Sequence, residues 1–356
     1  MIRYAELAVV ILLRIQEDML MFGRKCIVDK LFTFLFLLLL AGTVQAAVGR
    51  AALIQGTVTV NGQQLKTDTP INAGDVIAAG DNGSAKIIMH DRSVIDITSN
   101  SSIKISRFTY NPDSPESGGE SYFDLLKGSL RYISGLIGKL NPDNVKVTAG
   151  TATIGIRGSF DTFSFDGVNV TVDTSIGQAN ITLADNSTLT IKAGETGNAN
   201  IQTGKLSVAP TTTPDAVTQA INSIAANPDD QNGVQSALSG LNDGDLVLAI
   251  AAMIDNAATL GISETSLPTI VGTAAGVNND LATVLVFIAT AMDPDNSNAY
   301  VTSVINVVPD LTNAIEDAAD SGTDLNSSLL NTSGTNGVGG AGGGGGGGGT
   351  ASPATP

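Results

Sequence analysis

The sequence predicts a multidomain protein in which an all-β N-terminal domain, β-solenoid-like or an elongated sandwich, precedes an α-helical domain and a disordered glycine-rich tail. Three observations predict this fold class. Short runs of alternating apolar and polar residues fill residues 49–208. Apolar residues recur at intervals of three and four from Asp215 onward. Residues 342–349 are an unbroken glycine run. The predicted segments are 1–46, 47–210, 211–325 and 326–356.

Composition and internal repeats favour a thin β domain. Aromatic residues make up only 4% of the chain and tryptophan is absent, so Val, Ile, Leu and Ala must build the core. The segment INAGD at 71–75 recurs as IKAGE at 191–195, and DRSVIDI at 91–97 recurs as DNSTLTI at 185–191. Each copy predicts a turn and a strand, and related units of this kind suggest stacked rungs.

Two stretches of the β region need separate interpretation. Residues 145–165 alternate between apolar and small polar residues, and we predict two strand pieces that meet at Arg157 and Gly158. Residues 125–140 carry apolar residues at helical spacing, but Gly128, Gly135 and Gly138 each cost about 1 kcal/mol in a helix interior. We predict strands over 122–133 around Gly128, with a short helix near 134–140 left open.

The N-terminal segment 1–46 reads as an export signal. Three basic residues precede the apolar run at 31–41, and VQA at 44–46 offers a cleavage site. The run is shorter than the roughly 20 residues of a spanning helix, so we expect no permanent membrane span. A signal peptide of the usual length would begin near Met21, so residues 1–20 are an additional N-terminal extension. Whether translation starts at Met1 or Met21 stays open. The only cysteine, Cys26, lies in this segment, so we expect a mature chain without disulfides.

The charge distribution argues against nucleic acid as a partner. The chain has a formal net charge of −16, and no Lys or Arg follows Lys205. Such a surface repels phosphate backbones. We expect the acidity to favour solubility, with attraction of cations as the alternative.

The helical region contains two segments that look like copies. Residues 216–233 and 282–299 are both apolar at helical spacing, and each contains an Asn-Pro or Asp-Pro break. We therefore predict helical repeats that stack side by side.

A search of the sequence for catalytic groups gives no constellation. His90 is the only histidine, which excludes a multi-histidine metal site. The glycine run lacks the Lys-Ser or Lys-Thr of a phosphate-binding loop. Among the 34 acidic residues no pair stands out for glycoside hydrolysis. We therefore expect no enzyme activity, no cofactor and no metal.

An ordered set of motifs resembles the FecR domain family. The motifs are GTV at 56–58, INAGDVI at 71–77, DRS at 91–93, LKGSLR at 126–131 and TATIGIRGSF at 151–160. The resemblance covers about residues 49–208. Founding members of the family regulate iron uptake through a cytoplasmic segment that contacts a sigma factor, one membrane span and a periplasmic part that contacts a receptor. Residues 1–20 are too short for that cytoplasmic segment, so we expect the signalling half to be missing.

The last motif supplies the candidate site residues. Gly150, Gly155, Gly158, Ser159 and Phe160 are predicted to be structural, and Ser159 stands where the family usually has Thr. The remaining candidate is the one charged residue of the motif, Arg157. It is predicted either to contact an anionic ligand or partner carboxylate, or to hydrogen-bond neighbouring strand carbonyls.

Together these observations predict an exported, non-catalytic binding or scaffold module in the periplasm or at the surface of a Gram-negative bacterium. Its partner would be a protein or an envelope ligand. The alternatives are a regulator in iron-responsive envelope signalling and a polysaccharide-active enzyme on a β-solenoid. The near absence of aromatic sugar platforms argues against the enzyme.

Overall fold

The computed structural model describes residues 47–67 and 69–324, apart from the side chain of Ser159. These residues fall within one compact unit. The predicted export signal at 1–46 and the predicted tail at 326–356 lie outside the described residues. In the described ranges, no helix combines the length and the apolar character needed to cross a membrane.

The chain is built from strands up to Pro210, as the alternating pattern predicts. The strands are β1 Gly49–Gln55, β2 Val58–Val60, β3 Gln63–Gln64, β4 Pro70–Ile71, β5 Val76–Ala79, β6 Ser84–Met89, β7 Val94–Ile97, β8 Ser102–Thr109, β9 Glu120–Ile133, β10 Val145–Ala149, β11 Ala152–Phe165, β12 Asn169–Thr182, β13 Thr188–Lys192, β14 Glu195–Asn200 and β15 Lys205–Pro210. A short helix, α1 (Leu136–Leu140), follows β9. The structure thus confirms strand structure over 122–133, although as one strand that continues through Gly128, and it has a helix in the stretch 134–140 that the sequence left open.

The strands pair into one sheet that is almost entirely antiparallel. Its main path runs β15-β14-β12-β11-β10-β9-β7-β6-β1-β4, with β13 on β12 and the β2, β3, β5 and β8 group joined through β9. Among the described strands, every pairing is antiparallel except that of β9 with β10. A parallel β-helix would need parallel pairing from rung to rung. The pairing therefore confirms the β-rich prediction and excludes parallel solenoid rungs for these strands.

The sequence repeats reappear as matching turns. Oδ1 of Asp91 accepts hydrogen bonds from the backbone N (3.1 Å) and hydroxyl (2.6 Å) of Ser93, and Asp185 accepts from Ser187 at 2.9 and 2.6 Å. The residue between them has a φ of 67° in the first copy and 64° in the second. In the other repeat, the acidic fifth residue accepts from the backbone N of the second residue in both copies, at 2.7 and 2.8 Å. Local side chain to backbone bonds therefore set these turns.

After Pro210 the described chain is helical, as the three-and-four periodicity predicts. The helices are α2 Ala216–Ala226, α3 Gln231–Ser239, α4 Asp243–Asp255, α5 Ala257–Leu260, α6 Ser266–Val277, α7 Ala282–Met292, α8 Ser297–Val307 and α9 Thr312–Thr323. The predicted copies α2 and α7 each span 11 residues. Each ends at the residue before a proline, Asn227 or Asp293, with a ψ of 77° or 74°. The proline ring disfavours the helical region for that residue, which ends the helix.

The helices pack on the sheet through one row of apolar side chains. In the strand register Ile88 pairs with Val94, Val94 pairs with Ile133, and Phe160 pairs with both Ile133 and Ile176. All five are buried in the same core as the helices. We call these five residues the docking row.

The opposite face of the sheet encloses a second core. Val147, Ile154 and Ile156 are fully buried there, together with Phe163 and Tyr132. Because side chains alternate between the faces of a strand, one sheet contributes to both cores. The helical and β regions share a continuous interface, so the division at 210 and 211 into separate domains stays a prediction.

We predict that Phe160→Ala lowers the free energy of unfolding by about 3–5 kcal/mol, because it opens a cavity in the middle of the docking row. Urea unfolding followed by circular dichroism measures this value. The matched control is Leu126→Ala on β9, where the residue is 47% exposed, and the expected change is within about 0.5 kcal/mol. Equal effects of the two substitutions would contradict the docking role of Phe160.

Candidate functional site

Arg157 and Gly155, two of the residues predicted from the sequence, lie on an exposed polar face formed by β10, β11, β12 and β13. The register aligns three rows of outward residues across these strands. The rows are Thr148, Thr153, Thr182 and Thr188; Lys146, Gly155, Asn180 and Thr190; and Arg157, Gln178 and Lys192. The intervening apolar side chains are buried on the other face of the sheet. We call the three rows the polar face.

Arg157 is accessible on the polar face. Its side chain is 51% exposed, and Nη2 lies 2.9 Å from Oδ1 of Asp143, whose side chain is 86% exposed. Exposed ion pairs of this kind contribute about 0–1 kcal/mol. The guanidinium can therefore exchange Asp143 for a carboxylate or phosphate from another molecule at little cost.

A groove with a volume of about 470 Å³ lies next to Arg157. A Cβ atom added at Gly155 would meet no atom within 4 Å, so the groove is open above this glycine. Lys146 lines the groove, with Nζ 5.3 Å from the ring centroid of Tyr122. Asn180 lines it as well. Two cations and several hydrogen-bonding groups are thus available to one ligand.

The other motif residues lie where the strands turn or change face. Gly150, with a φ of 59°, separates β10 from β11, whereas Gly158, with a φ of 56°, lies inside β11. The register shifts between Arg157 and Phe160. The predicted junction of two strand pieces at Gly158 is therefore wrong: the chain breaks at Gly150, and Gly158 forms a bulge within a continuous strand. This bulge places Phe160 in the docking row.

We predict that Gly158→Ala destabilises the protein by about 1–2 kcal/mol, because an L-residue is strained at this positive φ. Gly155→Ala is the matched control in the same strand. It has no positive φ and open space for a Cβ, so its backbone is not strained and we expect a change within about 0.5 kcal/mol in either direction. The two free energies of unfolding are compared by urea titration. A larger loss of unfolding free energy in Gly155→Ala than in Gly158→Ala would contradict the bulge assigned to Gly158.

A second polar site, which sequence reasoning missed, lies between the sheet and α4. Lys86, Asp96 and Arg131 pair across β6, β7 and β9. Asp96 accepts from Lys86 Nζ at 2.6 Å and from Arg131 Nε at 2.6 Å, and Arg131 Nη2 lies 2.6 Å from Oδ1 of Asp245 on α4. Nη1 of Arg131 lies 4.0 Å from Asp215, the N-cap residue of α2. We call Lys86, Asp96 and Arg131 the charged row.

The charged row holds the helices at a defined position on the sheet. Asp96 is fully buried and Lys86 is 2% exposed, so each needs its ionic partner to offset the loss of hydration. Burial by itself lowers the pKa of Arg131. The neighbouring carboxylates of Asp96 and Asp245 together raise this pKa by more than burial lowers it, so the net shift is upward. Beside the row is a groove of about 520 Å³ that runs to the first turn of α4. We call it the junction groove.

Comparison with known proteins identifies the domain that carries part of each site. Residues 75–176 match the family described as FecR protein, which covers less than half of the chain. The chain contains a FecR domain. The match begins before β5 and ends in β12, so it is narrower than the resemblance over 49–208 and includes Arg157 and the charged row. The helical region lies outside it.

Solved structures and curated proteins add little beyond the FecR match. Two solved structures of a candidate anti-sigma factor from Parabacteroides distasonis ATCC 8503 are similar to this chain, each with a TM-score of 0.31 and 11% identity. The matches cover 38% of this chain and 59% of the other chain, which is less than two thirds of its length. No curated protein matches the chain.

The FecR domain also contacts the C-terminal end of α4 through a buried carboxylate. Lys139, which follows the FecR strand β9, lies 2.7 Å from Oδ1 of Asp255, and its Nζ donates to the backbone carbonyl of the same residue at 2.9 Å. Burial raises the pKa of Asp255 to about 6; Lys139 lowers it and nearby Asp91 raises it. Burial also raises the pKa of Asp91, against the hydrogen bonds from Ser93. The interface therefore takes up a proton more readily than an unfolded chain does.

We predict that Asp255→Asn gains stability relative to the wild type as pH rises from 4.5 to 7.5. The folded-state pKa of about 6 lies above the unfolded value of 3.8, so protonation stabilises the wild type below pH 4. This contribution is lost as pH rises through 6. Between these two pH values the relative gain of Asp255→Asn is roughly 2 kcal/mol, measured by urea unfolding at both pH values.

Lys139→Met provides the complementary variant for this prediction. Because Lys139 favours the ionised form of Asp255, its removal should make the loss of stability between pH 4.5 and 7.5 steeper than in the wild type. A difference between Asp255→Asn and wild type that is the same at both pH values would contradict the raised pKa.

Proposed function

We propose that this protein is an exported, non-catalytic binding or scaffold module in the periplasm or at the cell surface of a Gram-negative bacterium. The polar face of the FecR domain would make the contact, with Arg157 as the main cation that holds an anionic group of the partner. The observation that carries this proposal is the groove beside Arg157, where an accessible guanidinium, Lys146 and strand hydroxyls are exposed on an otherwise acidic chain.

The charge of the polar face favours an acidic partner group. Arg157, Lys146 and Lys192 share this face, and Asp143 is the acidic residue that lines the groove. Arg157 already binds that carboxylate in a geometry that a partner carboxylate could adopt. The helical region carries no Lys or Arg, so it offers no comparable cations to an acidic partner. The excess of cations on the polar face is local and would attract an acidic group at short range.

The chemistry of the groove supports binding rather than turnover. Its described lining includes no histidine, and its carboxylate, Asp143, is paired with Arg157. General acid–base catalysis needs a pair of groups with distinct protonation states at the reacting bond. Threonine, asparagine and cationic side chains instead position and neutralise a ligand.

A second candidate function is that of a regulator in iron-responsive envelope signalling. The match of residues 75–176 to FecR protein favours it. In that role the polar face would contact a receptor rather than an envelope polymer. Recovery of a receptor only under iron limitation would distinguish this role from a constitutive scaffold.

The test of the main proposal uses the full chain produced in its own envelope with an affinity tag. We predict that the double variant Lys146→Glu with Arg157→Glu is cross-linked to at least tenfold less partner material than the wild type, because two attractive charges become repulsive. Lys66 is an exposed lysine outside the polar face. The variant Lys66→Glu is therefore the matched control and should be cross-linked to as much partner material as the wild type. Quantitative mass spectrometry of the cross-linked species gives the readout.

Fractionation and N-terminal sequencing complete this test. The proposal expects a mature chain in the envelope that begins after Ala46. A protein found wholly in the cytoplasm with Met1 retained would overturn the exported role, and equal loss in the Lys66→Glu control would overturn the role of the polar face.

A further inference from the structure

We propose that the junction groove is a binding site for an uncharged saccharide. The groove lies between the sheet and the start of α4 and is bounded by residues of β1, β6, β7 and β9 and by Thr162 of β11. The polar face uses a different part of β11, from Thr153 to Arg157, together with β10, β12 and β13, and none of its residues lines the groove. The proposal therefore does not depend on the function proposed for Arg157.

The floor of the groove consists of two neighbouring rows of polar side chains. The first is the charged row. The second contains Gln55 and Ser84, which pair in the strand register, and Thr98 and Ser129, which are joined by hydrogen bonds from Thr98 to the Ser129 carbonyl. Strands in a sheet lie about 4.8 Å apart, so the second row presents regularly spaced amide and hydroxyl groups. A polyhydroxyl ligand can bond to several such groups along one row.

The unused hydrogen-bonding capacity of the groove includes both donors and acceptors. Lys86 uses one of its three protons on Asp96. Gln55 accepts from Ser84 at 3.1 Å through Oε1, which leaves its amide nitrogen available among the described contacts. Two carboxylates are occupied as acceptors: Asp96 bonds to both cations, and Asp245 bonds to Arg131 and to Asn242. The hydroxyls of Ser84 and Ser129 already donate, to Gln55 Oε1 and to the backbone carbonyl of Phe163, so their lone pairs remain as acceptors. Saccharide hydroxyls, which can both donate and accept, match this pattern.

The charges favour a neutral ligand over an anionic one. The cations Lys86 and Arg131 already face Asp96 and Asp245, and Asp81 adds another carboxylate to the lining. An incoming carboxylate or phosphate would have to displace one of these partners or lie beside it. Saccharide hydroxyls accept from the free donors without adding charge, and they can donate to the exposed rim.

The backbone of α4 comes close enough to form a wall of the groove because it has glycine at position 244. A Cβ at Gly244 would lie 2.8 Å from Lys86 Nζ and 3.3 Å from Gln55 Oε1. The absence of a side chain leaves room for these two donor-bearing groups beside the helix. The described lining contains no aromatic side chain, so hydrogen bonds must supply the affinity, and we expect weak binding in the millimolar range.

The experiment titrates the full mature chain with neutral tetrasaccharides of glucose, xylose and N-acetylglucosamine, with polygalacturonate and inorganic phosphate as charged counterparts. Saturation-transfer NMR and chemical shift changes give the affinities. The expected result is binding of at least one neutral tetrasaccharide, and weaker binding or none for the charged probes. Failure of all neutral probes, or tighter binding of a charged one, would overturn the proposal.

Two variants and two controls locate the site. Gln55→Met removes the amide donor at similar size, and Ser99→Trp fills the groove from its exposed rim. Each should weaken saccharide binding at least fivefold, with folding checked by circular dichroism. Gln64→Met at an exposed strand position and Arg157→Glu should leave the affinity unchanged. Loss of binding in Arg157→Glu with retention in Gln55→Met and Ser99→Trp would place the saccharide on the polar face and refute the junction site.

Discussion

The packing of α-helices on the docking row is the interaction on which the rest of the structure depends. Five apolar side chains, one from each of five neighbouring strands, form a stripe that the helices cover. A stripe of this kind gives no unique position along the strands, because apolar contact is not directional. The charged row beside it supplies direction: Arg131 must reach Asp245 on α4, and Asp96 must keep both of its cations. The apolar row provides most of the attraction, and the charged row selects the position.

This arrangement determines which surfaces remain for binding. One face of the sheet is covered by helices and its reverse encloses the second core, so the surfaces open to a ligand are those that the helices leave uncovered. The outward side of β10 to β13 carries the polar face, and the edge of the helical cover carries the junction groove. The two sites differ in chemistry. The first has accessible cations with one exposed acidic partner, and the second has cations that are already neutralised within the protein.

The helical region is more closely tied to the FecR domain than its composition suggests. It is strongly acidic and lacks basic residues, yet its charges at the interface are not left unpaired. Lys139 reaches Asp255 at one end of α4 and Arg131 reaches Asp245 near the other. These contacts extend the functional unit beyond the matched residues 75–176, since a FecR domain without α4 would expose the docking row and leave Arg131 without one of its acids.

The sequence by itself determined the local structure: which segments are strands or helices, where Asp-Ser turns and prolines end them, and that TATIGIRGSF belongs to a FecR domain. The strands, helices and turns follow from alternation, glycine and hydrogen bonds between residues close in the chain, whereas the FecR assignment rests on the resemblance of an ordered set of motifs. The same reasoning found Arg157 but placed the strand junction at Gly158 instead of Gly150, because a bulge and a turn use the same positive φ. Only the tertiary structure decided that Phe160 leaves the β core for the helices, and that Arg131 meets Asp245. Such partners are set by strand register and long-range packing, which the spacing of residues along the chain does not encode.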